Sequence, residues 1–278
     1  MQKSSIISTI IIKPLHGLEY LKFGNLWHYR ELLYFLVWRD LKVRYKQTLI
    51  GAAWAIVQPF VTMIIFSIFF GRIAKIPSEG IPYPIFSYAA LLPWTLFSQG
   101  TIQASNSLVS SASLITKVYF PRLVIPISAV LSPLIDFAIA FVVLIGMMIY
   151  YGVYPTVMVF WFPVFLLLTL VTTFGISIWF SALNVKYRDV RYAIPFLVQI
   201  WLFATPVIYP STILQGKWRV FLGLNPMTAV IEGFRWSLLG VGKIGGRMIW
   251  ASIAVAVVLF FTGIFYFKKT ERSFADVV

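Results

Sequence analysis

Long apolar runs recur along the 278-residue chain, separated by short stretches rich in polar and basic residues. Each run has about 20 residues, which is enough for a helix to cross the hydrocarbon core of a bilayer. Six such runs are present, and we expect each to be a transmembrane helix. They lie at about 50–71, 85–110, 123–150, 157–182, 190–209 and 247–267. The pattern predicts an all-α integral membrane protein.

A basic, aromatic stretch leads into the first run. Within residues 30–59, Tyr34, Trp38, Leu41 and Tyr45 recur at helical spacings of three and four, which predicts one apolar stripe on an amphipathic helix. The charged or polar residues on its two flanks are Arg39, Lys42 and Lys46 on one side and Asp40, Arg44 and Gln47 on the other. This arrangement is typical of a helix lying in a membrane interface. An ordinary basic juxtamembrane anchor explains it equally well.

The segment 210–246, before the last run, fits neither a loop nor a span. Its apolar pieces, 212–224 and 227–241, are separated by Asn225-Pro226, a good N-cap followed by a good first helical residue. A helix of about 15 residues starting there is roughly 22 Å long, shorter than a hydrocarbon core. We therefore expect re-entrant helices, with Glu232 and Arg235 paired three residues apart. The alternative is a seventh span.

The distribution of lysine and arginine predicts the orientation. Sixteen of these residues fall on the side that holds both termini and seven on the other, which places the termini in the cytoplasm. We expect one domain over 1–278. Its parts are a cytoplasmic arm at 1–49, spans one to five within 50–209, an extracytoplasmic segment at 210–246, span six at 247–267 and a cytoplasmic tail at 268–278.

Composition supports a membrane protein and argues against other classes. The chain is 60% hydrophobic and 12% charged, with a mean hydropathy of +0.86. The net charge of +14 is explained by basic residues retained on the cytoplasmic side, so we expect no nucleic-acid partner. The absence of cysteine from the sequence excludes disulfides and thiolate metal sites.

Groups suited to catalysis are scarce. The chain has nine acids, scattered one or two per loop, and two histidines, both in the N-terminal arm. No P-loop, glycine-rich phosphate cradle or G-x-S-x-G sequence occurs in it. We therefore expect that this chain is not an enzyme by itself, and we predict no catalytic, cofactor-binding or metal-binding residues.

Polar residues inside the spans are candidates for a transport path. Asp136, the one acid within a span, either fixes helix packing or acts in substrate passage or proton coupling. The second span is rich in Ser, Thr, Asn and Gln, which hydrogen-bond between helices or line a watery path. The residues predicted for the path are Ser98, Gln99, Gln103, Asn106 and Asp136.

Two loops on the predicted cytoplasmic side are short, basic and aromatic. In 113–126, Ser113 is a candidate cap for a helical turn, and Pro121 ends that turn at or before Phe120. The second loop is 184–191. Together with the opening helix they form three contact elements, which suggests that a soluble partner docks there. Simple connectors carrying positive-inside charges are the alternative.

Four ordered blocks of sequence resemble a known family. They are DLKVRYKQTLIGAAWAIVQP at 40–59, LITKVYFPRLVIP at 114–126, LNVKYRDVRYAIPFLVQIWLFATPVIYP at 183–210 and LNPMTAVIEGFRWSLLG at 224–240. In these blocks the chain resembles the membrane subunits of ABC-2 type polysaccharide exporters, which export O-antigen, capsule or teichoic acid chains.

The resemblance implies a homodimer in the bacterial inner membrane, paired with two copies of a separate ABC ATP-binding subunit that binds ATP and Mg. The implied substrate is a polysaccharide on an undecaprenyl-diphosphate lipid. The opening helix would be the interface helix, the loop around 117–122 the coupling helix and 210–246 an extracytoplasmic gate. The residues expected in that gate are Asn225, Pro226, Glu232 and Arg235. The residues expected at the ATPase contact are Trp38, Leu41, Lys42, Arg44, Ser113, Lys117, Tyr119, Phe120, Arg122, Tyr187, Arg188 and Asp189.

The basic residues of the opening helix also suggest a role toward substrate. Arg39, Lys42, Arg44 and Lys46 are predicted to attract the lipid diphosphate, with simple binding of anionic membrane lipids as the alternative. Two other functions remain open at this stage. One is export of a drug or small lipid by a member of the same family, and the other is a membrane enzyme that processes glycolipids.

Overall fold

The computed structural model describes residues 27–46, 51–214, 216–242, 246–271 and 274. Residues 1–26 and 47–50 of the predicted arm, and most of the predicted tail after residue 271, lie outside the described residues. Within the described ranges all regular secondary structure is helical. The prediction of an all-α membrane protein is confirmed.

Eleven α-helices follow one another along the described chain. They are α1 Arg30–Tyr45, α2 Trp54–Phe66, α3 Tyr83–Ser110, α4 Ala112–Lys117, α5 Val124–Leu131, α6 Pro133–Tyr151, α7 Phe162–Lys186, α8 Val190–Ala204, α9 Lys217–Leu222, α10 Pro226–Phe234 and α11 Arg247–Thr270. Short 3₁₀ turns lie at Gly51–Ala53, Val157–Trp161 and Ser211–Ile213. Wider π-helical turns extend α2 over Ser67–Ile73 and α10 over Arg235–Leu239.

Four helical stretches of the described chain are long and apolar enough to cross a membrane. They are Gly51–Ile73, Val124–Tyr151, Val157–Lys186 and Arg247–Thr270. Each matches a predicted span to within a few residues.

The other two predicted spans differ from this simple pattern. Helix α3 has 28 residues, but its polar side chains lower its hydropathy. Helix α8 has 15 residues and is therefore about 22 Å long, shorter than a hydrocarbon core of about 30 Å. The predicted fifth span was expected to reach residue 209, but its helix ends at Ala204 because Thr205 is extended. The count of six spans stays a prediction.

Helix α3 is the centre of the bundle and packs against α5, α6 and α7. Its large side chains Phe86, Tyr88 and Phe97 are fully buried. On its far side α7 packs closely along α11. A Cβ atom added to Gly263 would lie 2.5 Å from the carbonyl oxygen of Gly175, so these two glycines allow the two backbones to touch.

A second core lies at the predicted cytoplasmic end, where α1 packs against α5. Leu36 of α1 is buried in this core, at 4% exposed. Leu41, 7% exposed, is buried as well. Tyr34 and Trp38 are 65% and 53% exposed, so the residues of the predicted stripe are not buried as one face. The physical reason is that α1 also carries Leu32 and Leu33, which pack with Leu36 on the face opposite Tyr34 and Trp38.

Helix α10 begins where the sequence predicted. The side chain of Asn225 accepts a hydrogen bond from the backbone N–H of Met227 at 3.0 Å, and Pro226 is the first helical residue. Every residue of α10 is buried, among α3, α7 and α11. A helix buried on all sides needs partners for its polar side chains, and Thr228 donates to the carbonyl oxygen of Leu222 at 2.7 Å. Its re-entrant character stays a prediction.

Candidate functional site

The last turn of α1 meets the interruption between α5 and α6. Pro133 has no backbone N–H, so the helical ladder of the third span is broken there and α6 starts anew. Asp136 lies in the first turn of α6, where the positive end of the helix dipole favours a carboxylate. Arg44 approaches it from the last turn of α1.

A hydrogen-bonded cluster, which we call the Arg44 network, consists of Arg44, Tyr45, Gln103, Ser132 and Asp136. The guanidinium of Arg44 forms an ion pair with the carboxylate of Asp136 and donates to Gln103 Oε1. It also donates to Ser132 Oγ at 3.0 Å. The hydroxyl of Tyr45 donates to the other carboxylate oxygen. The network therefore joins α1, α3 and α6 at one point.

Both charges of this pair are largely removed from solvent. The side chain of Arg44 is 24% exposed and that of Asp136 is 10% exposed. A carboxylate inside a span is costly unless a cation and hydrogen-bond donors compensate it, and here both do. These contacts favour the packing interpretation of Asp136. Its predicted role in the path stays a prediction.

The polar residues of α3 separate into two faces. Thr101 and Ser105 are buried toward α7, where Asn184 Nδ2 donates to the carbonyl oxygen of Ser105 at 2.8 Å. Asn184 also donates to Asn106 Oδ1 at 3.1 Å. The buried face therefore holds helices together, as hydrogen-bonding side chains do in membrane proteins.

The second face of α3 is only half-buried. It carries four of the predicted path residues, at helical spacing, and these are Ser98, Gln99, Gln103 and Asn106. Gln99 Nε2 donates to Gln58 Oε1 of α2 at 3.4 Å, and a narrow cleft from this point reaches Asp136. We call this face the polar stripe. It is the part of α3 that is available to line a path.

Arg235 is fully buried and holds the chain that follows α8. Its guanidinium donates to the carbonyl oxygens of Pro206 at 2.7 Å and Val207 at 2.6 Å, and lies 3.5 Å from the centre of the Phe86 ring. Arg235 Nη1 is 3.6 Å from Glu232 Oε1, so the predicted pair forms.

Glu232, three residues before Arg235, also holds the chain that follows α8. It is buried and accepts a hydrogen bond from the backbone N–H of Ser211 at 3.2 Å. Asn225 Nδ2 donates to Thr205 Oγ1 at 2.8 Å, which fixes the first residue after α8. These side chains therefore fix the irregular chain at 205–211 from within the protein. Their predicted role in a gate stays a prediction.

The predicted ATPase-contact residues lie at one end of the bundle, and most of them are exposed. The exposed ones are Trp38, Lys42, Ser113, Lys117, Tyr119, Tyr187, Arg188 and Asp189. Phe120 is buried in the second core, and Leu41 is also buried. Their predicted contact with the ATPase stays a prediction. Arg122 is half-buried and donates to the carbonyl oxygen of Glu271.

The helical turn predicted in the loop after α3 is present as α4. It begins at Ala112, one residue before the predicted cap Ser113, and no side chain caps it. The prediction of Ser113 as the cap is therefore wrong. The turn ends at Lys117, before Phe120 and Pro121, as expected.

Only part of the predicted diphosphate-attracting set faces solvent freely. Arg44 is engaged in the Arg44 network, and its predicted role toward the diphosphate stays a prediction. Arg39 is hydrogen-bonded to Asp40 at 2.8 Å. Lys42 and Lys46 are exposed. In the described ranges no group of three or more His, Cys, Asp or Glu side chains is placed to hold a metal ion.

Sequence reasoning missed three residues of these clusters, namely Tyr45 as a partner of Asp136, Ser132 and Asn184. Ser132 had a usable signal, because it precedes a proline inside a span. A proline there frees backbone polar groups, and nearby side chains such as serine take part in satisfying them. Nothing local marks Tyr45 or Asn184, whose partners lie 91 and 79 positions away.

Comparison with known proteins agrees with the resemblance seen in the sequence. A family model described as ABC-2 type transporter matches residues 31–239. The O-antigen export system permease protein RfbA of Myxococcus xanthus is 31% identical over 257 residues, covering 91% of this chain and 98% of that protein. A protein of the same name from Klebsiella pneumoniae is 29% identical, covering 91% and 97%. The polysialic acid transport protein KpsM of Escherichia coli is 23% identical, covering 84% and 92%.

The match includes α1, the whole Arg44 network and α10. It covers well over half of the chain, and the chain belongs to the ABC-2 type transporter family.

Proposed function

We propose that this protein is the transmembrane subunit of an ATP-driven exporter that moves a lipid-linked polysaccharide of the O-antigen type across the bacterial inner membrane. The exporter contains two copies of this chain and two copies of a separate ATP-binding subunit, which holds ATP and Mg. Both termini lie in the cytoplasm. The polysaccharide is carried on undecaprenyl diphosphate.

One observation carries this proposal. Relatives named O-antigen export permeases align with 91% of this chain and with 97% to 98% of their own length. An alignment from end to end includes the helices that would line a path as well as those that would contact an ATPase. A relative named for polysialic acid transport also aligns, and it too carries a sugar polymer in its name.

The Arg44 network supports a route for coupling within this proposal. The exposed aromatic and basic face of α1, with Trp38 and Lys42, and the exposed residues of α4 form the surface on which the ATP-binding subunit docks. Movement of α1 passes through Arg44 to Asp136 on α6 and to Gln103 on the polar stripe. The two ends of this route are the ATPase surface and the transport path.

Deletion and complementation test the function directly. In a strain that lacks this gene, we expect the polymer to accumulate inside the cell and to disappear from the surface, and plasmid expression to restore it. Normal surface polymer in the deletion strain would refute the proposal. Loss of a drug or small lipid from the exported material, with polymer unchanged, would favour the other class of ABC-2 substrate.

Purification tests the partners. We expect the chain to copurify with an ABC ATPase in a two-to-two complex whose ATP hydrolysis depends on this chain. Glycolipid-processing activity of the purified chain without ATP would instead indicate a membrane enzyme.

A further inference from the structure

A deep apolar groove lies at the end of the bundle opposite α1 and α4. It has a volume of about 840 Å³ and runs between the outer half of the first span and the end of α6, with Tyr83 at the start of α3 forming its floor. Phe60, Ile64 and Ile68 line one wall, and Val143 and Met147 line the other. The Arg44 network and the polar stripe lie outside this groove.

The groove has the depth of one leaflet of a membrane. Its lining along the first span extends from Phe60 to Arg72, which at about 1.5 Å per residue is roughly 18 Å. Half of a hydrocarbon core of about 30 Å is roughly 15 Å. The groove therefore reaches from near the bilayer midplane to the aqueous rim.

The rim is cationic and aromatic, whereas the walls below it are apolar. Arg72 is exposed, and among the described residues it forms no ion pair. Tyr150, 82% exposed, lies across the rim from it. The π-helical turn Ser67–Ile73 displaces this part of the first span from regular packing, and π turns are frequent at functional sites.

A glycine keeps the α6 wall of the groove open. A Cβ atom added to Gly146 would meet no atom within 4 Å, so the space in front of it is empty of protein. The groove has apolar walls one leaflet deep and one unpaired cation at its aqueous end. It is therefore complementary to an anionic lipid, which has an apolar chain and a negatively charged headgroup. A phosphate pairs with the arginine, and a hydrocarbon chain replaces the missing protein contacts.

We propose that this groove is a binding site for one anionic phospholipid of the outer leaflet, with its phosphate on Arg72 and an acyl chain along the groove. A polyprenyl lipid anchor is a poorer occupant, because its chain is far longer than one leaflet is deep. The assignment of the leaflet uses the proposed orientation. The site itself does not depend on what the protein exports.

The test uses the purified full-length chain, delipidated in detergent and titrated with phosphatidylglycerol or phosphatidylethanolamine while native mass spectrometry counts the bound lipids. We expect one retained phosphatidylglycerol, with weaker retention of phosphatidylethanolamine. Arg72→Gln should weaken phosphatidylglycerol binding about fivefold, since one basic residue near a membrane surface contributes about 1 kcal/mol toward an anionic lipid. Lys75→Gln is the matched control, an exposed cation three residues away that does not line the groove.

Filling the groove tests the position of the acyl chain. Gly146→Leu should reduce retention of both lipids, whereas Val142→Leu, on the exposed side of the same helix, should leave it unchanged. Arg72 is exposed, so its replacement should leave the fold intact. The lipid titration of Arg72→Gln therefore tests the proposal even if Gly146→Leu does not fold.

Three results would overturn the proposal. They are equal effects of Arg72→Gln and Lys75→Gln, unchanged binding in a folded Gly146→Leu protein, and displacement of phosphatidylglycerol by an equimolar polyprenyl phosphate. The last result would assign the groove to the substrate anchor. The measured quantity is lipid retention, which does not require export. Failure of the lipid-site proposal can therefore be distinguished from failure of the export proposal.

Discussion

Arg44 and Asp136 lie 92 positions apart in the chain and form an ion pair that joins the last turn of α1 to the first turn of α6. Helix α1 presents its outer face to solvent, while Asp136 belongs to a membrane span. A displacement of α1 along its axis must therefore either carry the third span with it or break the pair. Breaking it would leave two poorly solvated charges, which is costly.

Removing one partner of this pair should cost more than removing both. Arg44→Gln or Asp136→Asn alone should destabilise the protein by about 3 kcal/mol, because one charge is left in a largely desolvated site. The double variant should recover about 1–3 kcal/mol of the summed loss, as expected for directly coupled residues. Thermal unfolding in detergent measures the stability, and ATPase activity measured beside polymer export reports coupling.

Arg39→Gln is the control for these variants, because Arg39 lies on the same helix and is bonded only to its neighbour Asp40 among the described residues. It should leave stability within about 0.5 kcal/mol of the original protein, as surface substitutions usually do. Purely additive effects in the double variant would show that Arg44 and Asp136 act independently.

The two faces of α1 should respond differently to charge. Trp38→Glu, on the exposed face, should weaken binding of the ATP-binding subunit and uncouple hydrolysis from export, while insertion and thermal stability stay unchanged. Leu41→Glu should lower the free energy of unfolding by several kcal/mol, because it places a charge at a buried position of α1. Pull-down of the ATPase and a melting curve separate the two effects. If export survives Trp38→Glu, α1 is only a membrane anchor.

Local signals in the sequence predicted what local structure decides. Asn225-Pro226 predicted the start of α10 because a cap and a proline act within one turn. Apolar runs predicted the four long spans because crossing a membrane needs only length and hydropathy. The pair between Glu232 and Arg235 was also predictable, because residues three apart on a helix are neighbours.

The remaining features depend on contacts between distant segments. The spacing of Tyr34 and Trp38 predicted a helix, but α1 is apolar on more than one side, and only packing against α5 selects the buried face. Arg44 appeared as one of several basic residues, and its partner is set by how α1 lies against the third span. Arg235 bonds to carbonyls of an irregular segment, which carry no side-chain signature.

Arg235 should be essential for stability. Arg235→Met would leave the carbonyl oxygens of Pro206 and Val207 buried without donors, at a cost of about 1–3 kcal/mol each, and would leave Glu232 without its cation. We expect poor accumulation or a melting temperature lowered by several degrees. Lys217→Met serves as the control, because Lys217 is an exposed cation on the same segment between α8 and α11. A stable, fully folded Arg235→Met protein would contradict the structural role given to this side chain.

Asn225 offers a smaller and more specific test. Asn225→Ala removes both the cap of α10 and the bond to Thr205, so a loss of about 0.5–2 kcal/mol is expected. Asn225→Asp keeps an acceptor for the Met227 N–H but cannot donate to Thr205. Its stability should therefore lie between those of the original protein and Asn225→Ala. Thermal unfolding of the three proteins measures this order. Equal stability of the alanine and aspartate variants would show that the cap contributes nothing.

The polar stripe of α3 can be tested for contact with water because the chain contains no cysteine. Single cysteines at Gln99 and Asn106, which are half-buried, should react with a membrane-impermeant maleimide in the assembled exporter if the stripe lines the path. Cysteines at Thr101 and Ser105, on the buried face of the same helix, should not react. Reaction at the stripe should also slow when ATP hydrolysis is blocked with the path closed. Equal labelling on both faces would indicate local unfolding of α3, and absence of labelling at Gln99 and Asn106 would place the path on other helices.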